Sequence, residues 1–415
     1  MEPINTTGWR SALAGSQMLF VAFGALVLMP LITGMDPNVA LFTAGLGTLM
    51  FQFTTQRQVP VFLASSFAFI APILYSNQTW GLAATLGGLL AAGLMYVLLS
   101  LLVHLRGPGF IRRLLPPVVV GPVIMVIGLG LASVAVNMAM GKAGDGSAQL
   151  VDYPLAILIS MASLITTIVV AVFAKGIFRL VPILAGVAVG YTLSWILGVV
   201  DFSSVGQASW LAVPGFVTPE FKLAAILFMI PVAIAPAIEH IGDVLAIGSV
   251  TGKDYLRKPG LQRTLLGDGL ATSAAALLGG PPNTTYSEVT GAVMLTRNFN
   301  PNVMVWAAVF AMALAFIDKF GAALLSMPVP VMGGILCLLF GSIAVVGMNT
   351  LIQNQVDLSR PRNLCIVSVT LVFGIGGLMI GNSDFSLQGI SLCGVVAIML
   401  NLLLPDPDKV EQPAA

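Results

Sequence analysis

The chain has 415 residues, of which 57% are hydrophobic and only 8% are charged, and its net charge is +1. An ordinary soluble domain carries about 25% charged residues, so this composition excludes a soluble globular protein and predicts a chain embedded in lipid. The near-zero net charge also argues against nucleic acid as a partner. Cys337, Cys365 and Cys393 fall in apolar runs without metal-ligand spacing, and we expect them to be small core residues.

Apolar runs long enough to cross a membrane, which takes about 20 residues, follow one another along the whole chain. They begin near Ala12, Pro37, Val59, Gly81, Leu115, Tyr153, Leu180, Lys222, Leu261, Pro282, Pro301, Met327, Arg362 and Gln388. Two of them, residues 59–76 and 282–296, are short and are interrupted by polar and turn-forming residues. The sequence therefore predicts an all-α polytopic membrane protein with about 14 transmembrane segments.

The positively charged residues provide a check on this count, because cytoplasmic loops of membrane proteins carry an excess of lysine and arginine. When loops are assigned alternately to two sides, one side receives only Lys142, Lys222 and Lys319. The other side receives the remaining fifteen of the 18. This asymmetry predicts an even number of crossings of the cytoplasmic (inner) membrane, with both termini in the cytoplasm.

Two features recur in the second half of the chain at nearly the same separation. Residues 116–121 (PPVVVG) and 328–333 (PVPVMG) each open an apolar run, and the two short interrupted segments begin near Pro60 and Pro282. Each half would contain seven crossings, an odd number, so the second half must insert upside down relative to the first. The pattern predicts two inverted repeats of seven with broken helices at segments 3 and 10, which is typical of transporters.

Two acids lie deep in the eighth apolar run. Glu239 and Asp243 are four residues apart, so both point to one face of a helix. An ionisable group at mid-membrane costs about 2.5–3.5 kcal/mol, so such residues usually have a function. A structural polar contact between helices remains an alternative, above all for Asp243. His240 points away from that face, and we favour helix packing over a proton relay for it.

A third acid, Glu288, follows the break in the tenth run. Pro281 and Pro282 forbid a continuous helix there, and residues 283–286 suit a short extended stretch. Ser287 would then cap a half-helix that begins near Glu288, which places a carboxylate beside free N–H groups at a positive helix end. A plain turn outside the membrane is the alternative.

The first half contains a counterpart in residues 59–69, which suggest a short strand, a serine cap and a half-helix. Inverted repeats would direct the two half-helices toward each other, and the two strands would pair antiparallel. The space between them suits a small, flat, uncharged ring that carries both N–H and C=O groups. Carboxylates would accept from ring N–H, backbone N–H groups would donate to ring C=O, and Phe67 or Tyr286 would cover the face.

Two further aspartates are expected to be structural. Asp268 follows Arg263 closely and is predicted to lie at the membrane interface near a helix start, whereas Asp318 precedes Lys319 and is expected to take part in packing or pairing. A membrane-embedded aspartyl protease would need two facing aspartates. Asp243 and Asp268 are the only pair that the sequence offers for it, and no other feature supports that function.

At these motifs the chain resembles the nucleobase–ascorbate transporter family, and within it the uracil permease branch. The resemblance covers essentially the whole chain. It depends on residues 281–288 (PPNTTYSE) followed by Gly291, Thr296 and Arg297, on residues 239–243 (EHIGD), and on residues 65–67 (SSF). It implies a core domain (residues 1–113 and 221–326) and a gate domain (residues 114–200 and 327–405), usually in a homodimer.

The resemblance also implies roles for single residues. The implied substrate-binding residues are Glu239, Glu288, Phe67, Tyr286, Ser66 and Ser287. The implied proton-coupling residues are Glu288, Asp243 and Glu239, of which Glu288 is the first choice. Purine-preferring members usually carry glutamine at the position of Glu288, so the glutamate favours uracil.

Four positions depart from the family pattern. Asp243 stands where uracil permeases often have histidine, Ser287 replaces a glycine, Val289 replaces an asparagine, and Phe340 replaces a tyrosine expected to face the site. These departures bear on the proton relay and on substrate preference.

We therefore expect a secondary active transporter, not an enzyme, that takes up uracil with protons by alternating access between the core and gate domains. It would use no metal and no cofactor beyond the coupling proton, and its partners would be the nucleobase, membrane lipid and a second copy of itself. A purine or xanthine permease of the same fold remains open as an alternative. So does a passive nucleobase facilitator or channel, in which Glu288→Gln would leave the flux intact.

Overall fold

The computed structural model describes residues 8–107, 109–381 and 386–405, and helices dominate this part of the chain. The helices of the first half are α1 (Trp9–Thr33), α2 (Pro37–Thr54), α3 (Ile70–Trp80), α4 (Leu82–Arg106), α5 (Gly109–Leu114), α6 (Pro117–Leu129), α7 (Ala132–Ala139), α8 (Tyr153–Phe173), α9 (Pro182–Ile196) and α10 (Ser203–Gln207). Those of the second half are α11 (Leu223–Val232), α12 (Ile234–Thr251), α13 (Leu261–Leu277), α14 (Ser287–Thr296), α15 (Asn302–Leu314), α16 (Asp318–Leu325), α17 (Val329–Gln353), α18 (Pro361–Ile375) and α19 (Gly389–Leu403). The strands are β1 (Leu63–Ser65), β2 (Asn283–Thr285), β3 (Met379–Gly381) and β4 (Ser386–Gln388).

Each of the predicted apolar runs contains at least one helix. In the described part of the chain, six helical stretches are long and apolar enough to cross a membrane by themselves: α1, α4, α6 with α7, α8, α11 with α12, and α17. The pair α15 and α16 would add a seventh span, although it bends by 85° at its break. These spans agree with a polytopic membrane protein, and fourteen crossings in inverted repeats stay a prediction.

The helices pack into two groups, and each group draws on both halves of the chain. In the first group, α13 packs on α2 and α4, and α15 packs on α1 and α2. In the second group, α17 packs on α6, α7 and α8, α8 packs on α9, and α18 packs on α6 and α19. The assignment of core and gate domains stays a prediction.

Small residues let the helices of the first group approach closely. A Cβ added at Gly93 of α4 would lie 2.7 Å from the backbone nitrogen of Ser273, and one added at Gly269 of α13 would lie 2.8 Å from the Cβ of Tyr96. Close approach through small residues is a common way to pack membrane helices, because van der Waals contact then extends along both backbones. This packing holds α13 in place beneath β2.

The two predicted strands exist and pair antiparallel. Leu63 of β1 lies opposite Thr285 of β2, and Ser65 lies opposite Asn283. All residues of both strands are buried. A second hairpin, formed by β3 and β4 between α18 and α19, was not anticipated from the sequence.

The expectation that the cysteines are core residues holds for Cys393, which is buried, and is wrong for Cys365, which is exposed. Cys337 lies between these extremes. Hydropathy cannot separate the two environments, because lipid-facing and protein-facing positions of a membrane helix are both apolar.

Candidate functional site

Strands β1 and β2 pair in the buried interior, and a helical segment begins after each of them; we call this place the strand crossing. A 3-10 turn (Phe67–Phe69) leads from β1 into α3, and α14 begins at Ser287 after β2. The backbone N–H of Ser66 donates to the carbonyl of Pro282 (2.9 Å). The first N–H groups of a helix have no acceptor within the helix, so both helix starts offer donors and a positive end to a ligand.

Helices α2 and α13 hold the strand crossing through buried polar side chains. The hydroxyl of Thr48 accepts from the N–H of Leu63 (2.9 Å), and the amide of Gln52 donates to the carbonyls of Val59 and Val61. These bonds satisfy backbone groups that the short strand leaves unpaired, which is required where no water is available.

The second strand is held in the same manner. The side-chain amide of Asn283 donates to the carbonyl of Thr43 (3.0 Å), and the hydroxyl of Thr272 donates to the carbonyl of Asn283 (2.8 Å). Sequence analysis missed these anchoring residues. The signal that could have found them is a polar side chain inside an otherwise apolar helical run.

Glu239 and Glu288 lie beside the strand crossing on adjacent helices, α12 and α14. Both are half-buried, and they are close enough for their charges to interact. The Oε2 atom of Glu239 is buried and has no hydrogen-bond partner among the described residues. Glu288 lies in the first turn of α14, at its positive end. The arrangement leaves two carboxylates available to accept hydrogen bonds from a ligand.

The two aromatic candidates are almost fully buried. Phe67 packs edge-on against Phe340 of α17 with 6.2 Å between ring centroids, and this contact joins the strand crossing to the second helix group. The hydroxyl of Tyr286 donates to the carbonyl of Ser65 (2.9 Å), so it links the two broken segments. Their contact with substrate stays a prediction.

Of the two candidate serines, Ser66 and Ser287, the structure describes the side chain of Ser66 only. Ser66 is the residue before the 3-10 turn, and its hydroxyl is buried without a hydrogen-bond partner in the described part of the chain. The side chain of Ser287 lies outside the described part of the structure. The prediction that Ser287 is the helix cap is wrong, because α14 begins at Ser287 itself and Tyr286 has the extended backbone of the cap position.

Asp243 is buried, and one of its oxygens accepts a hydrogen bond from the hydroxyl of Thr285 (2.8 Å). Since Thr285 belongs to β2, this bond ties the strand to α12. This bond supports a structural role for Asp243, whereas a role of Asp243 in proton coupling stays a prediction.

The prediction that Asp268 lies near a helix start is wrong, and its place at the membrane interface stays a prediction. Asp268 is fully buried and lies 3.4 Å from Nδ1 of His240, which is buried as well and packs edge-on against Phe51. Helix α13 begins at Leu261, where the apolar run was predicted to begin, and Asp268 lies two turns inside it. Asp243 thus accepts a hydrogen bond from Thr285, whereas Asp268 lies close to His240 without a hydrogen bond among the described residues.

The chain is similar to known permeases over nearly its full length. A family model described as a permease family matches residues 10–383. A probable uracil permease of Pasteurella multocida is 62% identical over 95% of this chain and 94% of its own length. A uracil permease of Bacillus caldolyticus is 46% identical over 94% of this chain and 90% of its own length.

A solved structure shares the fold. The transmembrane domain of a cyanobacterial bicarbonate transporter, BicA, superposes with a TM-score of 0.63 over 97% of this chain and 100% of its own, at 14% identity. At that identity the likeness concerns the fold alone, and it agrees with a polytopic membrane protein.

Proposed function

Since the chain belongs to the nucleobase–ascorbate transporter family of permeases, we propose that it takes up uracil across the cytoplasmic membrane together with protons. The observation that carries the proposal is the pair Glu239 and Glu288 beside two helix starts at the strand crossing. Uracil presents N–H and C=O groups along one edge. The carboxylates accept hydrogen bonds from the ring N–H groups, and backbone N–H groups at the helix starts donate to the ring C=O groups.

The names of the relatives support the choice of substrate. Proteins named as uracil permeases or probable uracil permeases match nearly the full length of this chain. Glutamate at position 288, rather than the glutamine of purine-preferring members, points the same way. A purine or xanthine permease of the same fold remains the alternative.

Competition distinguishes these substrates. Cells that express the protein take up radiolabelled uracil, and unlabelled uracil, thymine, xanthine and hypoxanthine are added in turn. Uracil should compete best and xanthine least. Stronger competition by xanthine than by uracil would contradict the substrate assignment.

Proton coupling is proposed for Glu288. A carboxyl group beside the substrate can take up a proton when the site faces outward and release it when the site faces inward. In this proposal, residues 1–113 and 221–326 form the core that carries the site, and residues 114–200 and 327–405 form the gate. The core and gate domains alternate access, the chain crosses the membrane fourteen times with both termini in the cytoplasm, and two copies form a dimer.

The coupling proposal predicts the behaviour of Glu288→Gln in proteoliposomes. The wild type should accumulate uracil when the outside is made acidic, and collapse of the gradient should abolish accumulation. Glu288→Gln should lose gradient-driven accumulation, whereas Asp145→Asn, in an exposed loop, should keep it. If Glu288→Gln accumulates uracil to the wild-type level, Glu288 is not the proton-coupling residue. Asp243 then becomes the candidate, and Asp243→Asn is the variant to test.

The passive facilitator or channel is tested in the same preparation. A facilitator would equilibrate uracil without concentrating it, and its flux would be the same with and without a pH gradient in both the wild type and Glu288→Gln.

A further inference from the structure

A cavity of 210 Å³ opens beside Glu288. One of its walls is a single face of α14, formed by Glu288, Gly291, Ala292 and Leu295, which follow the i, i+3, i+4, i+7 spacing of one helix face. A Cβ added at Gly291 would meet no atom within 4 Å, so the face is open at this residue. The cavity therefore runs along α14 from Glu288 toward the C-terminal end of the helix.

The opposite wall comes from the second helix group. It consists of the start of α9 and the residues before it, including Arg179 and Ile183. The side chain of Ile183 also lies directly over Gly24 of α1, where a Cβ would have no room. Because α1 belongs to the first helix group and α9 to the second, the cavity lies between the two groups.

The charged residues in the lining of this cavity are Glu288 and Arg179. Arg179 is exposed, and it belongs to the loop between α8 and α9, on the side that the charge asymmetry assigns to the cytoplasm. Glu288 lies at the inner end, beside the strand crossing. The cavity thus has an acid where the substrate is proposed to bind and a cation at its mouth.

On the basis of the proposed function, we propose that this cavity is the route by which uracil and its proton leave Glu288 for the cytoplasm, with Arg179 favouring the departure of the proton. In that step the O–H bond of Glu288 breaks, the proton passes to water in the cavity, and the electron pair stays on the carboxylate. A guanidinium in the same water-accessible space stabilises the negative carboxylate and opposes the return of a proton. Arg179 is a positioning residue, because it acts without touching the substrate.

Cysteine labelling tests the route. Gly291→Cys and Leu295→Cys are introduced separately into a chain in which Cys337, Cys365 and Cys393 are replaced by alanine. A membrane-impermeant thiol reagent is applied to right-side-out and to inside-out membrane vesicles. Both cysteines should be labelled in inside-out vesicles only, and uracil should slow the labelling.

Val289→Cys is the matched control, because Val289 lies on the same helix, is fully buried and does not line the cavity. It should remain unlabelled in both kinds of vesicle. Labelling of Gly291→Cys and Leu295→Cys in right-side-out vesicles would overturn the route. So would a labelling rate in inside-out vesicles that is no higher than that of Val289→Cys. The labelling reaction does not require transport. If both cysteines are labelled from the cytoplasmic side, but uracil does not slow the labelling and the protein takes up no uracil, the proposed function is rejected. The cytoplasmic route along α14 is then still supported.

The effect of Arg179 is tested by its dependence on internal pH. The other titratable groups near Glu288 are Glu239 on α12 and Tyr286 at the start of α14, and neither is altered in Arg179→Gln. Gradient-driven uptake into right-side-out vesicles should fall by about two- to fivefold in Arg179→Gln, and the loss should grow as the interior is acidified.

Two variants make this result specific. Arg179→Lys should restore the wild-type pH profile, because it restores the charge. Lys175→Gln, which removes a cation from the same loop but not from the cavity, should leave the profile unchanged. A wild-type profile for Arg179→Gln, or an equal change in Lys175→Gln, would overturn the role of Arg179.

Discussion

The two broken segments have the same backbone plan and different chemistry. Each has a proline, a three-residue strand and a helical segment after the strand, which is a 3-10 turn leading into α3 in the first and α14 in the second. The first segment places Ser66 and Phe67 at its helix start and contains no acid, whereas the second places Tyr286 and Glu288 there. The first is held mainly by side chains of α2 and the second by α2, α12 and α13.

This difference indicates a division of labour at the strand crossing. Both segments supply backbone donors, because every helix start does. Only the second segment, together with α12, supplies carboxylate acceptors. Under the proposed function, the first segment would contribute mainly geometry and backbone N–H groups, and the second would contribute the groups that distinguish N–H from N-methyl and carry a proton.

The largest effect is expected from a ligand that has no hydrogen-bond donor for the carboxylates. Uracil methylated at both ring nitrogens keeps its C=O groups for the backbone donors but has no N–H. Two lost hydrogen bonds to charged groups should weaken competition by at least about 100-fold. Competition is measured against radiolabelled uracil, with uracil methylated at one nitrogen as the intermediate case. Strong competition by the dimethylated compound would show that the acids do not bind the ring edge.

The next effect concerns the anchor of the second strand. A Cβ at Gly47 of α2 would lie 2.6 Å from Nδ2 of Asn283 and 2.9 Å from the Cβ of Ala271. Gly47→Ala should displace the Asn283 side chain and cost about 2–3 kcal/mol of stability, seen as a lower melting temperature of the purified protein. Gly291→Ala, where the added Cβ meets open space, is the control and should melt near the wild type. Equal melting of the two variants would contradict the anchoring role of Asn283.

A smaller effect is expected from the hydroxyl of Tyr286. Tyr286→Phe keeps the ring and removes the hydrogen bond to Ser65, so stability should fall by about 1–2 kcal/mol while uracil binding changes little. Thermal melting and equilibrium binding are measured on the same preparation. A tenfold loss of binding at an unchanged melting temperature would instead assign the hydroxyl to the substrate.

The smallest effect is expected at Ser66, whose buried hydroxyl has no partner among the described residues. Ser66→Ala should leave the melting temperature unchanged and weaken uracil binding by about threefold, the value of one neutral hydrogen bond. Unchanged binding with a higher melting temperature would remove Ser66 from the substrate-binding residues.

Sequence alone predicted the features that depend on strong local rules. Pro60 and Pro282, each followed by residues that favour extended backbone, predicted a break in the helix, and the strands β1 and β2 are observed after them. The cost of burying an acid in a membrane singled out Glu239 and Glu288, and both lie beside the strand crossing.

Features that depend on neighbours were beyond a single sequence. The apolar run beginning near Leu261 anticipated the start of α13, but the burial of Asp268, two turns further along, depends on the helices packed around α13. The helix cap was placed one residue too late, at Ser287, because serine is a good cap in isolation and the backbone at Tyr286 is set by the strand pairing. The strands β3 and β4 themselves contain no proline or acid to mark them.

The pairing of β1 with β2 has a consequence for biosynthesis. Tyr286 and Ser65, which are joined at the strand crossing, are 221 positions apart in the chain. At about 5–20 residues per second, a ribosome needs on the order of 10–40 s to deliver the second strand after the first. During that interval the amide of Gln52 and the hydroxyl of Thr48, both from the adjacent helix, can already occupy the polar backbone of residues 59–63. Thr48 and Gln52 can thus satisfy the backbone of β1 until β2 has been synthesised.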